Sequence, residues 1–308
     1  MRRREFITLL GGAAIAWPSL ANAQQRTRRI GVLMGLAEGD SESQPRVKAL
    51  QQGLRALGWE EGRNIQIEYR WAASDPARMR TFAKELVEQQ CDVILGHTTP
   101  VIAALLRESR TIPIVFVQVS DPVGSGMVGS LGRPGGNVTG FSNFEFAIGG
   151  KWLELLKEIA PQVTRVALLF NPQTAPFAVH YMHSVQAAGP SFTIEAISTP
   201  INQASEIDAA ISERGREPGL ALIALPDIFT TTHRGLIIAS AARHGVPALY
   251  PFRYSVAEGG LICYGIDNID LYRRAVPYLD RILATAARSR RNLRPLTIGV
   301  CIKLSTRN

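Results

Sequence analysis

Ile30-Gly31-Val32-Leu33-Met34 is an almost unbroken apolar run. That is the composition of a parallel strand covered on both faces, not of a strand with one face in water. Val47, Leu50, Leu54 and Leu57 follow at helical spacing, and Gly58 closes that helix. Ile65 to Tyr69 alternates as an edge strand does. Met79, Phe82, Ala83, Leu86 and Val87 form the next helical face, followed by a strand Val93 to Leu95, a helix Val101 to Leu106 and a strand Ile112 to Val117. Strands alternating with helices specify a parallel, doubly wound α/β sheet.

The pattern then restarts. Trp152, Leu155, Leu156 and Ile159 mark a helix, and Val166 to Phe170 a strand. The same reading gives helix 174–188, strand 192–197, helix 203–213, strand 220–225, helix 231–243 and strands 247–250 and 261–264. The expected organisation is two doubly wound parallel-sheet α/β lobes joined by a hinge. The first spans 24–141 and the second 142–265, with a helix at 266–283 returning to the first lobe. Leu131 to Asn137, dense in turn residues, reads as the linker between the halves. Open α/β sheets bind ligands at the carboxyl ends of their strands, so both lobes present loops to a shared cleft.

The ends of the chain differ in character from this body. Clustered Arg2, Arg3 and Arg4, an apolar stretch Leu9 to Leu20 and the small-x-small pattern Ala21-Asn22-Ala23 compose a signal peptide, cleaved after Ala23. The arginine pair before x-Phe-Ile resembles a twin-arginine signal. The stretch contains Gly11 and Gly12 and is broken by Pro18, too short for the roughly 20 apolar residues of a membrane span. The expected location is therefore the periplasm. The formal net charge is +8, but residues 24–283 hold 25 basic and 25 acidic side chains, and the excess lies at the termini. Residues 284–308 form a basic, acid-free tail. A nucleic-acid binder carries its basic face on the folded domain, so no nucleic-acid partner is expected.

Cys91, Cys263 and Cys301 lie far apart, next to strand-like runs. An oxidising compartment permits a Cys91–Cys263 pair, while buried free thiols are the reading closer to their surroundings. The five histidines form no ligand cluster, and no metal site is expected.

Candidate chemistry sits in the loops after the strands. Gly96-His97-Thr98-Thr99-Pro100 starts a helix with Pro100 in its first turn. The hydroxyls of Thr98 and Thr99 beside free N–H groups suit a carboxylate or phosphate; the alternative is a simple threonine N-cap. Ser120 and Asp121 occupy the same position after the next strand. In the second half Asn171 and Asp227 end strands, and Asp227 either holds an ammonium group or caps the helix near Thr230. Tyr250 and Tyr264 supply aromatic surface at further strand ends. Gly124-Ser125-Gly126-Met127-Val128-Gly129 matches a dinucleotide loop, which leaves an exported nucleotide-binding α/β enzyme as the alternative. That motif belongs to a first strand–helix turn, however, and here it follows a fourth strand. No GxSxG, phosphate-loop lysine or Ser-His-Asp arrangement is present, so neither catalytic residues nor a cofactor are expected.

Several runs carry a family likeness: Thr98-Thr99-Pro100, Ile112 to Phe116, Ser120 to Gly124, Leu225-Pro226-Asp227, Ala242 to Ala248, Tyr272 to Ala275 and, most specifically, Ser130-Leu131-Gly132-Arg133-Pro134-Gly135-Gly136-Asn137-Val138-Thr139-Gly140. Over residues 28–283 the chain resembles the ABC-transporter substrate-binding family that includes tryptophan- and tyrosine-binding members. The resemblance implies a two-lobed, type I-like periplasmic binding fold without catalytic activity, acting as a monomer. It would capture a small molecule, amino-acid-like and often aromatic, and hand it to a membrane permease, its only link to the membrane. On that likeness Thr98, Thr99 and Ser120 would meet a carboxylate, Asp227 an ammonium and the tyrosines a side chain. Regulators of the lac-repressor type share the architecture, but export and the lack of a helix-turn-helix segment argue against that reading. Past Leu283 the chain departs from the family's usual ending, although Thr297 to Leu304 retains a strand-like pattern.

Overall fold

The computed structural model describes residues 27–289, and the side chains up to residue 285. The signal segment, its cleavage point, Cys301 and the run Thr297 to Leu304 lie outside the described residues. The first sheet contains β1 (Arg28–Met34), β2 (Ile65–Trp71), β3 (Val93–His97), β4 (Ile114–Val119) and β5 (Val138–Ser142), in the order β2-β1-β3-β4-β5. Between them run α1 (Ser43–Ala56), α2 (Pro76–Glu88) and α3 (Thr99–Glu108). The second half adds α4 (Gly149–Ile159), β6 (Arg165–Phe170), α5 (Ala178–Phe192), β7 (Glu195–Pro200), α6 (Ile207–Gly215) and β8 (Leu220–Ala224). It continues with α7 (Ile228–Thr232), α8 (Arg234–Arg243), β9 (Ala248–Tyr250), α9 (Arg253–Ala257) and β10 (Ile262–Cys263), its strands ordered β10-β9-β8-β6-β7. Every pairing in both sheets is parallel. Two wound parallel sheets make this a two-lobe α/β protein.

The central strands read as apolar runs because they are buried on both faces: Ile30, Val32, Val93, Leu95, Val115 and Val117 face one layer, and Leu33, Ile94, Ile114 and Phe116 the other. The last helix, α10 (Asn268–Ser289), closes the first of these layers with Leu271, Tyr272, Val276, Leu279 and Leu283. Trp59 donates its indole N–H to Asp280 at 2.9 Å, fastening that helix beside the α1–β2 turn.

Three sequence expectations shift. Leu131 to Asn137 is not the interlobe linker, because the chain first adds β5 to the edge of β4 and only then crosses at 143–145. β5 is short and carries Gly140, which it needs: a Cβ there would lie 2.0 Å from the Phe116 carbonyl oxygen. Second, α5 runs to Phe192, past Gly189 and Pro190, where the sequence pattern ends it at 188. Pro190 lacks the N–H that would bond the Gln186 carbonyl and its ring crowds that carbonyl, and the helix ends two residues later. Third, the helix expected at 231–243 is two, α7 and α8, broken at His233. The return crossing runs from Tyr264 to Asp267 and touches the outgoing one. A Cβ on Gly265 would stand 1.8 Å from the Pro251 carbonyl oxygen and 2.8 Å from the Phe144 ring.

Candidate functional site

The carboxyl ends of β3 and β4 form one wall. Thr98 has φ 83° and ψ 156°, a region that is essentially glycine's own. Its hydroxyl makes no cap bond; it is buried and has no hydrogen-bond partner. The simple N-cap role is therefore not what the side chain does. Thr99 points the other way along the wall, its hydroxyl accepting the Ser120 N–H at 3.0 Å. Gln118 and Asp121 also have positive φ, 59° and 34°. Strain at three positions on adjacent strand ends costs about 1–3 kcal/mol each. Such strain persists only where surrounding packing enforces it.

His97 explains how this wall is held. It is fully buried; its Nδ1 accepts the Gly35 N–H at 3.2 Å and its Nε2 lies 3.1 Å from the Gln118 amide oxygen. That pair of partners requires the neutral imidazole with its proton on Nε2. Burial, and secondarily the Arg46 charge, press its pKa down to about 3. Asp121 accepts the N–H groups of Gly124 and Phe146 at 2.7 and 3.3 Å, tying the wall to the first crossing.

The opposite wall belongs to the second lobe. The Asp227 carboxylate accepts from the N–H groups of Asn171 (2.9 Å) and Phe229 (3.2 Å), capping α7 and joining β6 to β8 at their ends. Burial pushes its pKa up to about 6, against the pull of the donors around it. Asn171 caps the following turn through Gln173 and Thr174 and donates to the Asn202 carbonyl. Ile228 reaches across into the first lobe's core, 3.2 Å from where a Cβ on Gly35 would stand. On α5 the Tyr181 phenol faces the Ser120 hydroxyl, and neither has a partner of normal hydrogen-bond geometry.

The structure thus brings Thr98, Thr99, Ser120 and Asp121 together on one wall and Asn171 with Asp227 on the other. Tyr250 is placed elsewhere. It packs with Ile238, Ala241 and Val246 on the α8 side of the second sheet, lining a 290 Å³ cavity there. Tyr264 is half-buried at the return crossing against the Phe144–Phe252 cluster.

Arg46, Tyr181, Arg234 and Tyr254 were invisible to sequence reasoning. Arg234 on α8 crosses the cleft to Asp40 at 3.0 Å and Ser41 at 2.9 Å, and also holds Glu258 at 2.9 Å. Its guanidinium lies 5.3 Å from the Tyr254 ring, and that of Arg46, from the first lobe, lies 5.8 Å from the same ring. A second-lobe aromatic is therefore in reach of two cations. No sequence signal marks these residues, since arginines on helices are ordinarily solvated.

The loop Gly124 to Gly129 opens no helix; the chain turns through residues 122–137 directly into β5. It lacks the helix end that a pyrophosphate needs. Among the described residues no cluster of side chains suits a metal ion, and no helix is long and apolar enough to cross a membrane. Cys91 and Cys263 are both free thiols, Cys91 pushed up to about 11 chiefly by burial.

Two wound sheets joined by paired crossings, with strand ends facing across a cleft, define the architecture of two-lobed solute receptors. Residues 29–290 match the family model described as ABC transporter substrate binding protein, and the chain belongs to that family. It is 29% identical over 227 residues to the tyrosine-binding protein of Clostridioides difficile (strain R20291), covering 71% of this chain and 63% of that relative's length. A crystal structure of a conserved domain protein from Vibrio cholerae is similar with TM-score 0.78 and 27% identity, covering 91% of this chain and 90% of that one. An ABC domain from Streptococcus pneumonia, solved in complex with L-Trp, shares the fold with TM-score 0.73 at 23% identity and the same coverage.

Proposed function

We propose that the chain is the periplasmic solute-binding component of an ABC importer, exported by its signal peptide and cleaved after Ala23. It closes its lobes, divided near residues 141–142 and 265–266, on an amino-acid-like and aromatic small molecule, and delivers that molecule to a membrane permease. The observation that carries this reading is a set of buried polar atoms without a hydrogen-bond partner at the first lobe's strand ends and on α5, those of Thr98, Ser120 and Tyr181. Groups desolvated without partners cost about 1–3 kcal/mol each, a cost a ligand bound between the lobes would remove. The names of the Clostridioides difficile relative and of the L-Trp complex support an aromatic amino acid.

In this reading Thr98, Thr99 and Ser120 meet the carboxylate end. Asp227 accepts the Asn171 and Phe229 N–H groups with the Thr174 hydroxyl also beside it, and an ammonium would displace that hydroxyl. Titration calorimetry with L-tyrosine, L-tryptophan and L-phenylalanine, paired with solution scattering, tests the reading. A tight complex with a smaller radius of gyration is expected, because closure requires contacts made in one state only. An unchanged scattering profile at saturation would sink the clamp. Asp227→Asn should weaken an amino acid by about two orders of magnitude and leave its des-amino analogue untouched.

A further inference from the structure

Arg46 has no part in the reading above, yet it is the most unusual side chain in the protein. It lies in the first turn of α1, next to the loop that carries Asp40 and Ser41 to the second lobe. It is fully buried. Its Nη1 donates to the carbonyl and the carboxylate of Glu42, but Nε and Nη2 have no partner. These two nitrogens form one edge of the guanidinium fork, the edge that matches a carboxylate with two parallel bonds. The guanidinium stands at the lobe junction, beside the Tyr254 ring, and its field reaches His97 and Tyr272. Those neighbours are neutral and bring no counter-charge. The one acid paired with Arg46 is Glu42, which is already spent on Nη1. The other carboxylates of the cleft are also engaged: Asp40 by Arg234, Asp121 and Asp227 by backbone N–H groups.

We infer that Arg46 is the charge-reading residue of the cleft, taking a planar carboxylate of the solute on its Nε–Nη2 edge. This rests on the cleft being the solute site, and it adds a chemical demand: the ligand must be an organic anion, whether or not it carries an amine. The hydroxyls of Thr98 and Ser120 then position the solute rather than supply the counter-charge.

The test is a matched panel against the full mature chain: L-tyrosine, its carboxamide, 3-(4-hydroxyphenyl)propionate and a neutral phenol. Wild type should bind L-tyrosine at least about a hundredfold more tightly than its carboxamide, and 3-(4-hydroxyphenyl)propionate by a similar factor more tightly than the neutral phenol, the scale of a buried charge left unpaired. Arg46→Met should abolish that preference. Arg46→Lys should lose roughly tenfold, keeping the charge without the fork. Circular dichroism verifies folding; should Arg46→Met fail to fold, the acid-to-carboxamide ratio in wild type and Arg46→Lys still decides. Equal binding of acid and carboxamide, a folded Arg46→Met that keeps its affinity, or no response to any acid would each overturn the inference. Failure of the amino-acid reading looks different: the des-amino acid then binds as well as L-tyrosine, and Arg46 still governs both.

Discussion

The two walls of the cleft are built from similar residue types and treat them in opposite ways. On the second-lobe wall Asp227, Asn171 and Thr230 are bonded to one another's backbones and to their own loops. On the first-lobe wall Thr98, Ser120 and Arg46 hold buried polar atoms that nothing satisfies, on a backbone strained at Thr98, Gln118 and Asp121. The Asp227 turn is largely satisfied within itself, although the buried Thr174 hydroxyl beside it is not. A wall with unmet donors and stored strain is one shaped for something that arrives later. In the proposed function the unmet groups, Thr98, Ser120 and Arg46 with Tyr181 of the second lobe, would be the ones a ligand completes.

Asp227→Ala gives the largest expected effect. It strips the α7 cap and orphans the Asn171 N–H, and should cost about 3 kcal/mol of stability in urea unfolding. A loss of stability with amino-acid affinity intact would mean the second wall closes without reading the ammonium.

His97 comes next and shows itself through pH. An unfolded imidazole gains its proton near 6.5, while the folded one refuses it until about 3. Stability is therefore lost as pH falls through that window. Asp227 acts in the opposite direction: its folded pKa near 6 exceeds the ordinary 3.8, so its contribution falls as pH rises between those values. His97→Gln can keep both hydrogen bonds, and should show a smaller drop in unfolding midpoint between pH 7 and pH 4.5 than wild type. An equal drop would place the acid sensitivity elsewhere.

Thr98→Gly should relieve about 1–3 kcal/mol of strain, offset by about 0.5–1 kcal/mol of glycine's added chain entropy. The variant should melt slightly higher while binding more weakly. A less stable variant would show that Thr98 is not strained against its neighbours. Arg234→Ala is the mildest: it removes the half-buried cross-lobe bonds to Asp40 and Ser41, and ligand release should speed up by about fivefold, near 1 kcal/mol. Stopped-flow release rates matching wild type would deny it a closing role.

Much of this contrast was legible in the sequence and its decisive part was not. The buried strands announced themselves because a parallel strand covered on both faces has no polar alternation to mislead. Thr98, Thr99 and Ser120 stand out as candidates because strand-end hydroxyls before a helix form a local pattern. β5 escaped because five residues including Thr139, Gly140 and Ser142 look like a loop until β4 supplies the neighbouring edge. Arg46 escaped for a deeper reason. With Glu42 four residues earlier it reads as a solvated helix pair, and the groups around it, His97, Tyr254 and Tyr272, come from far along the chain.

The return of α10 to the first lobe sets the order in which a ribosome can finish this molecule. Residues 143–263 contain every strand of the second sheet, so that half can consolidate while the chain is still growing. The first half, although made earlier, waits for Leu271 to Leu283 to cover one face of its sheet. Pulse-labelled hydrogen exchange during refolding should accordingly protect β6 and β8 before β1 and β3; the reverse order would show that α10 docks onto a sheet already formed. The half synthesised first is then the last to be complete, and its apolar face beneath α10 is what a chaperone would meet on the nascent chain.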